Sequence, residues 1–422
     1  MSASAAPFRF DPPAVDLTPA LRWILSRAFG PAELAAEEPE GLSTAALANS
    51  LGLAPRIAAR HSPNWLAGEL GADAAAELRR FRALAMAQEM RLMTALVAFD
   101  EVAAELRVPY APLKGQALVL GGFAPEGGRA SADVDLLVPE ERVATLQAEL
   151  VKRGFTEVGE AYEHQAPSLK HRDGGAIELH RVILGVRPGE RQSATFEELA
   201  AAGMIGGVGG AGGVGGGPAV WRTPNEKPKG DLRMPRREVL TAHALVHALA
   251  QHGLAPRAYP GLLLIADLLD LAFRGSPGRA TLATITPWIE RAVSFDEAEA
   301  ALDLASGLAA GGRGGATLFE ESAAGRSRPR LLLDHFLAGA TDPRYAESLK
   351  VRALEQPLSD RSHSGARVAL IAHALLPARM KDAEGESERW PDYLARLAAR
   401  PFDLFRRWRV SPTWTSFFAS SM

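Results

Sequence analysis

Between Leu17 and Leu106 apolar residues recur every three or four positions among Ala, Leu, Glu and Arg, most regularly across Ala74–Leu106. That spacing lays one apolar stripe along a helix, so residues 1–107 are expected to form a helical N-terminal region. Pro109 and Pro112 end the pattern, and up to about Val186 short apolar runs alternate with turns. VPYAPL is expected as a strand, KGQALVLGG as a short helix, and ADVDLLV as a second strand in which Asp and apolar residues alternate. ERVATLQAELVKRG reads as the next helix and GFTEVG as a further strand. SLKHRD and GGAIELHRVIL pair as a hairpin around Asp173-Gly174-Gly175. The order β-α-β-α-β-β implies a small mixed sheet with helices packed on it, spanning residues 108–200.

The stretch from Gly203 to Pro218 is too rich in glycine to pack and carries no charge, and residues 201–230 are therefore expected to be a flexible inserted loop. A dinucleotide-binding reading of its GVGGAGG would need a preceding strand and a following helix, and neither is evident. Helical periodicity returns in REVLTAHALVHALAQHG and PGLLLIADLLDLAFRG, giving a C-terminal helical domain over residues 231–380. Residues 381–422 form a basic, aromatic tail. Between Arg389 and Arg409 six arginines face two aspartates, with Trp390, Tyr393, Phe402, Phe405 and Trp408 among them. This suits a helix whose aromatics pack inward and whose arginines face water, and also a surface for a polyanion. The fold class expected is α+β, a small mixed-sheet core flanked by N-terminal and C-terminal helical regions.

Composition narrows the chemistry. With 47% apolar residues in 422, the chain can bury more than one core. The absence of cysteine excludes disulfides, thiolate metal sites and cysteine nucleophiles, and fits a reducing compartment. The N-terminus has no basic stretch leading into an apolar run, so the cytoplasm is expected. The most apolar stretch, Gly261 to Phe273, contains Asp267 and Asp270 and falls short of the about 20 apolar residues a membrane span requires. A net charge of -3 gives no global attraction for polyanions.

Asp133 and Asp135 stand two apart on the expected strand, so both carboxylates leave the same face. Two carboxylates there repel, and shared divalent cations relieve the repulsion; hard oxygen ligands suit Mg²⁺ bridged to phosphates. A solvated edge strand has the same alternation. In AIELHRV, Ile177 and Leu179 are expected to face the core, with Glu178 and His180 on the other side. Glu178 is thus a candidate third carboxylate, and equally a surface glutamate. His180 is a candidate for positioning an acceptor or relaying a proton, and also fits a structural hydrogen bond.

Leu113-Lys114-Gly115, Arg129, Asp133-Val134-Asp135-Leu136-Leu137-Val138 and Glu178-Leu179-His180 together resemble a bacterial family of uncharacterised nucleotidyltransferases, within the DNA polymerase β-like superfamily. The resemblance is most specific between about Leu113 and His180. It implies that Asp133 and Asp135 hold two Mg²⁺ ions, with Glu178 helping to bind metal and activate an acceptor. It implies a nucleoside triphosphate, such as ATP, as donor and pyrophosphate as product. Most of the superfamily carry Gly-Ser at the turn that holds the triphosphate; here Lys114-Gly115 stands in its place, and eighteen positions separate Gly115 from Asp133, a longer interval than usual. Gly115 would admit close backbone approach and Lys114 a cation to the phosphates. Arg129 is a candidate phosphate contact, or a loop arginine in water.

His243 and His247 lie four apart on one helix face, as in a two-histidine metal site, but Ala244 excludes the H-E-x-x-H protease mechanism. They are expected to line an acceptor pocket or pack the helix. Asp267, an acid in an apolar helix, calls for a buried partner, for which these histidines are candidates. The acceptor stays open among a small molecule, a protein side chain and an RNA end. Rival readings are a catalytically silent member binding a nucleotide or partner, antitoxin-like; a phosphotransferase, for which neither P-loop nor kinase motifs are present; and an all-helical scaffold that would hold Asp133 and Glu178 far apart.

Overall fold

The computed structural model describes residues 12–30, 39–159, 161, 164–186, 193–207, 228–251, 261–272, 278–289, 292–310, 326–346 and 349. The basic aromatic tail and the heart of the glycine-rich stretch, residues 208–227, lie outside the described residues. The chain divides into two compact units, Met1–Asp342 and Pro343–Met422. Of the second, only residues 343–346 and 349 are described, all helical.

In the first unit, among the described residues, four short helices precede a long one: α1 (Pro19–Phe29), α2 (Gly41–Ser50), α3 (Ala54–Arg60), α4 (Pro63–Leu70) and α5 (Ala72–Leu106). Thr18 and Ser62 cap α1 and α4 through their side chains, each followed by a proline whose missing N–H costs nothing at a helix start. At about 1.5 Å per residue, the 35 residues of α5 extend for about 52 Å, enough to serve two cores. Its first turns put Ala74, Ala75 and Leu78 against α1–α4. Its last turns put Leu92, Leu96, Phe99 and Ala103 under the sheet.

The sheet follows, with β1 (Ala111–Pro112), α6 (Lys114–Leu120), β2 (Val134–Leu137), α7 (Val143–Lys152), β3 (Thr156–Val158), β4 (Ser168–Lys170) and β5 (Ala176–His180). Strand order is β1-β2-β5-β4-β3, with β2 and β5 parallel and the other pairs antiparallel. This mixed sheet makes the fold α+β and removes the all-helical reading. Val134, Leu136, Ile177 and Leu179 turn to the side of α5 and α7, all fully buried. By the two-residue period of a strand, Asp135, Glu178 and His180 emerge from the other face.

Two small ladders lie beyond: β6 (Val182–Leu184) with β7 (Ser193–Thr195), and β8 (Ile205–Gly207) with β9 (Arg233–Pro235). Between them runs α8 (Phe196–Ala201), started by a capping box of Thr195 and Glu198. Residues 205–207, inside the stretch expected as a loop, are therefore a strand, since two glycines offer an unobstructed backbone ladder to Arg233 and Met234. Asp100 of α5 anchors the returning chain, accepting hydrogen bonds from the backbone N–H groups of Lys229 and Gly230. Among the described residues the unit closes with α9 (Arg237–Val246), which runs into a π-helical turn (His247–Gln251), then α10 (Gly261–Ala272), α11 (Gly278–Ile289), α12 (Phe295–Ala310) and α13 (Arg328–Thr341). No helix among the described residues is long and apolar enough to cross a membrane.

Candidate active site

Register sets the site. Because β2 and β5 run parallel with Asp135 opposite Glu178 and Leu137 opposite His180, two carboxylates and an imidazole come from neighbouring sheet positions on one face. Asp133 sits immediately before β2. Asp135 Oδ1 accepts from Lys114 Nζ at 2.6 Å and from His180 Nε2 at 2.7 Å. His180 Nε2 is also 3.8 Å from Glu178 Oε2, and the Ser168 hydroxyl of β4 donates to Glu178 Oε1 at 2.7 Å.

Crowding three acids shapes their protonation. Burial first, then repulsion from Asp135 and Glu178, pushes the Asp133 carboxyl up to about 6, although Lys114 and Arg129 pull the other way. Burial works in the same sense on Asp135, but the Lys114 charge and the His180 hydrogen bond outweigh it and hold that carboxyl well below the usual range. For Lys114, burial is likewise overcome by Asp135, so the ammonium is held above its ordinary value. Asp135 is ionised, and Asp133 is the acid that an added cation would relieve.

Lys114 has φ 47, a left-handed conformation that costs a non-glycine residue about 1 kcal/mol or more and is kept where surroundings impose it. The next residue is glycine, and a Cβ there would displace the Arg129 guanidinium and the Ser131 hydroxyl from their present positions. Arg129 Nη1 donates to Ser131 Oγ at 2.6 Å, and its Nε and Nη2 donate to Asp267 of α10 at 3.0 Å. The partner of Asp267 is therefore Arg129, not His243 or His247. A fork of guanidinium donors matches a carboxylate better than a single imidazole does. Nor is Arg129 a loop arginine in water: its side chain is 10% exposed. Burial raises the Asp267 carboxyl despite this pairing.

Lys114, Gly115, Arg129, Asp133, Asp135, Glu178, His180, His243 and His247 all line one cavity of about 890 Å³, within the size range of small-molecule sites. His243 lies in the last turn of α9 and His247 begins the π-helical turn, with ring centroids 6.0 Å apart. Such turns recur at functional sites. Leu263 and Leu264 of α10 add an apolar wall. The lining also includes Ser131, His164 and Gln165, which no motif marks. Burial, then the neighbouring His180, lowers the His164 imidazole. No motif marks Ser168 either; the antiparallel register that pairs Leu169 with Ile177 carries it beside Glu178.

Asp135, Glu178 and His180 each offer one ligand atom, all within 4.8 Å of one another, so this donor set fits a metal ion. Asp133 is not a member of that tight group. The compact triple thus has the His180 imidazole where the sequence reading had the Asp133 carboxylate.

A mixed sheet presenting clustered acids, a lysine and a glycine turn to a deep cavity defines a nucleotidyltransferase-type core. The chain belongs to the family of uncharacterised nucleotidyltransferases, which it matches over residues 42–275, more than half its length and including every lining residue named above. It is a transferase of phosphorus-containing groups. Neither the comparison with curated proteins nor that with solved structures returned a match.

Proposed function

We propose that this chain moves a nucleoside monophosphate from a nucleoside triphosphate to an acceptor hydroxyl with the help of Mg²⁺, two ions being expected, held by Asp133, Asp135 and Glu178. The observation that carries this is the in-register pairing of Asp135 with Glu178, beside Asp133, on the floor of a cavity large enough for a nucleotide. When bound, the cations would supply charge neutralisation at the attacking and leaving oxygens. Everything else falls to the chain. Lys114 would exchange Asp135 for the triphosphate, and the bare backbone at Gly115 would let phosphate oxygens approach. Arg129 would present its Nη1 edge to the phosphates while Asp267 fixes its other edge.

Glu178, oriented by Ser168, would take the acceptor's proton as its oxygen attacks the α-phosphorus in line. The bond to the bridging oxygen of the β-phosphate breaks and pyrophosphate leaves. His180, His243 and His247, with Leu263 and Leu264, would form the acceptor side. The test is incubation with each α-³²P-labelled nucleoside triphosphate, Mg²⁺ and fractions of small molecules, protein and RNA, against the Asp133→Ala/Asp135→Ala variant. Label transferred by the wild type alone supports the reading and reveals the acceptor class. Triphosphate bound without transfer would overturn it in favour of a binding-only member.

A further inference from the structure

The tight donor group differs from a set of three carboxylates in one respect: its third member is nitrogen. We infer that the position formed by Asp135, Glu178 and His180 is a mixed nitrogen and oxygen site that takes a first-row transition ion of the Mn²⁺ class in preference to Mg²⁺. This rests on the transfer reading for its role in catalysis, and the second position, on the side of Asp133, stays with Mg²⁺ and the nucleotide.

Three observations carry it. The His180 Nε2 converges on Asp135 Oδ1 at 2.7 Å and lies 3.8 Å from Glu178 Oε2, so the ring nitrogen and both acids offer themselves to one point. The imidazole is fixed on a sheet position, with its backbone C=O accepting from Val138 N–H at 3.1 Å and the residue bridged to Gln165, and it is 5% exposed. Asp133, the remaining acid, falls outside the group, so the compact site has two oxygen-bearing side chains rather than three. Magnesium dehydrates reluctantly and prefers oxygen, whereas imidazole favours the softer divalent ions. To ligate through Nε2, His180 binds as the neutral Nδ1–H tautomer: the Nε2 proton leaves to solvent, and Nδ1 holds, or takes up from solvent, the one proton that keeps the ring neutral.

A simple hydrogen bond from His180 to Asp135 would share the 2.7 Å contact but leave no nitrogen on the ion. The test is Mn²⁺ titrated into the full chain in excess Mg²⁺ without nucleotide, followed by electron paramagnetic resonance. The expected result is Mn²⁺ retained with spin-echo modulation from a directly bound ¹⁴N. His180→Gln should remove that coupling and weaken Mn²⁺ binding at least about tenfold, with a smaller change for Mg²⁺. His164→Gln should keep the coupling, although its ring centroid is only 5.9 Å from that of His180. Should His180→Gln fail to fold, the wild type and His164→Gln decide the matter. Absence of ¹⁴N coupling in the wild type, or equal losses of Mn²⁺ and Mg²⁺ in His180→Gln, would overturn the inference. Labelled-nucleotide transfer run alongside separates the two ideas. Mg²⁺-supported transfer without nitrogen coupling removes only the mixed site, and nitrogen-bound Mn²⁺ without transfer removes only the transfer reading.

Discussion

Two buried acidic centres in this molecule are built on opposite plans. In the helical part, Asp334 of α13 is fully buried and is held by two arginines, Arg330 Nε at 2.9 Å and Arg326 Nη1 at 2.7 Å. The same arginines donate onward to the backbone carbonyls of Val15 and Pro12, so the acid staples the start of the described chain to α13. In the sheet, Asp133, Asp135 and Glu178 crowd one face around Lys114, while Arg129 nearby is engaged by Asp267. One centre has more cations than acids and the other more acids than cations. The first is complete as it stands. The second gains by adding positive charge, which is how a binding site differs from a structural pair.

The largest effect expected tests whether the surplus of acids is functional. Asp135→Asn keeps the shape of the side chain but removes the charge that Lys114 and His180 address. Nucleotidyl transfer should fall by at least about 10³-fold, since cation-mediated stabilisation of the reacting oxygens is worth several kcal/mol. Single-turnover transfer of labelled nucleotide measures it, and a variant retaining more than a tenth of the rate would remove Asp135 from the chemistry. At the other centre, Asp334→Asn leaves a buried guanidinium, that of Arg330, and the half-buried one of Arg326 without their carboxylate. It should destabilise the protein by about 3 kcal/mol in urea unfolding, equally with and without divalent cations.

The sharpest contrast comes from Asp133→Asn, which should stabilise the cation-free protein at pH 7 by about 1–2 kcal/mol, discounted because the group is partly exposed. The sign follows from the raised carboxyl. Its folded value of about 6 lies above the unfolded one, so the contribution of this group is fully present below about pH 4 and is lost as pH rises through about 6. The gap between variant and wild type should therefore close below about pH 4, and should also narrow at pH 7 when a divalent cation is added. Thermal melts across that pH range read both, and a variant less stable than wild type at pH 7 would contradict the crowding argument.

These centres were unequally legible in the sequence. Asp133-x-Asp135 and Glu178-x-His180 announce themselves through the two-residue period of a strand, and their flanking apolar residues fix which face they share. The spacing does not disclose that β2 and β5 run parallel in the register that brings Asp135 opposite Glu178, or that His180 is nearer to Asp135 than Glu178 is to His180. Nor does it reveal Arg129–Asp267: the partners are 138 positions apart, and pairing depends on how α10 packs beside α6. Helical periodicity around Asp267 signals burial and hence the need for a partner, without naming it. The edge strand at Ile205–Gly207 escaped because glycine carries no side-chain period to read.

A third buried acid lies between the two plans and gives the smallest effect. Asp100 is held by neutral donors: Oδ1 accepts from the Tyr110 hydroxyl at 2.7 Å and from Gly230 N–H at 2.9 Å, and Oδ2 from Lys229 N–H at 2.7 Å. These donors form a clamp that returns the chain from the glycine-rich stretch to the sheet. Tyr110→Phe removes one of three donors and keeps the ring, which packs edge-on against Phe99, so the cost should be about 1 kcal/mol at pH 7. Burial, then the nearby Asp100 charge, raises the Tyr110 phenol well above its ordinary value. The folded state thus keeps a proton that the unfolded chain gives up above about pH 10, and wild-type stability should fall as pH rises beyond that point. In Tyr110→Phe that part of the alkaline loss should vanish. Urea unfolding at pH 7 and about pH 10.5 would measure the convergence, and parallel losses in both proteins would show that the Tyr110 proton does not couple to folding.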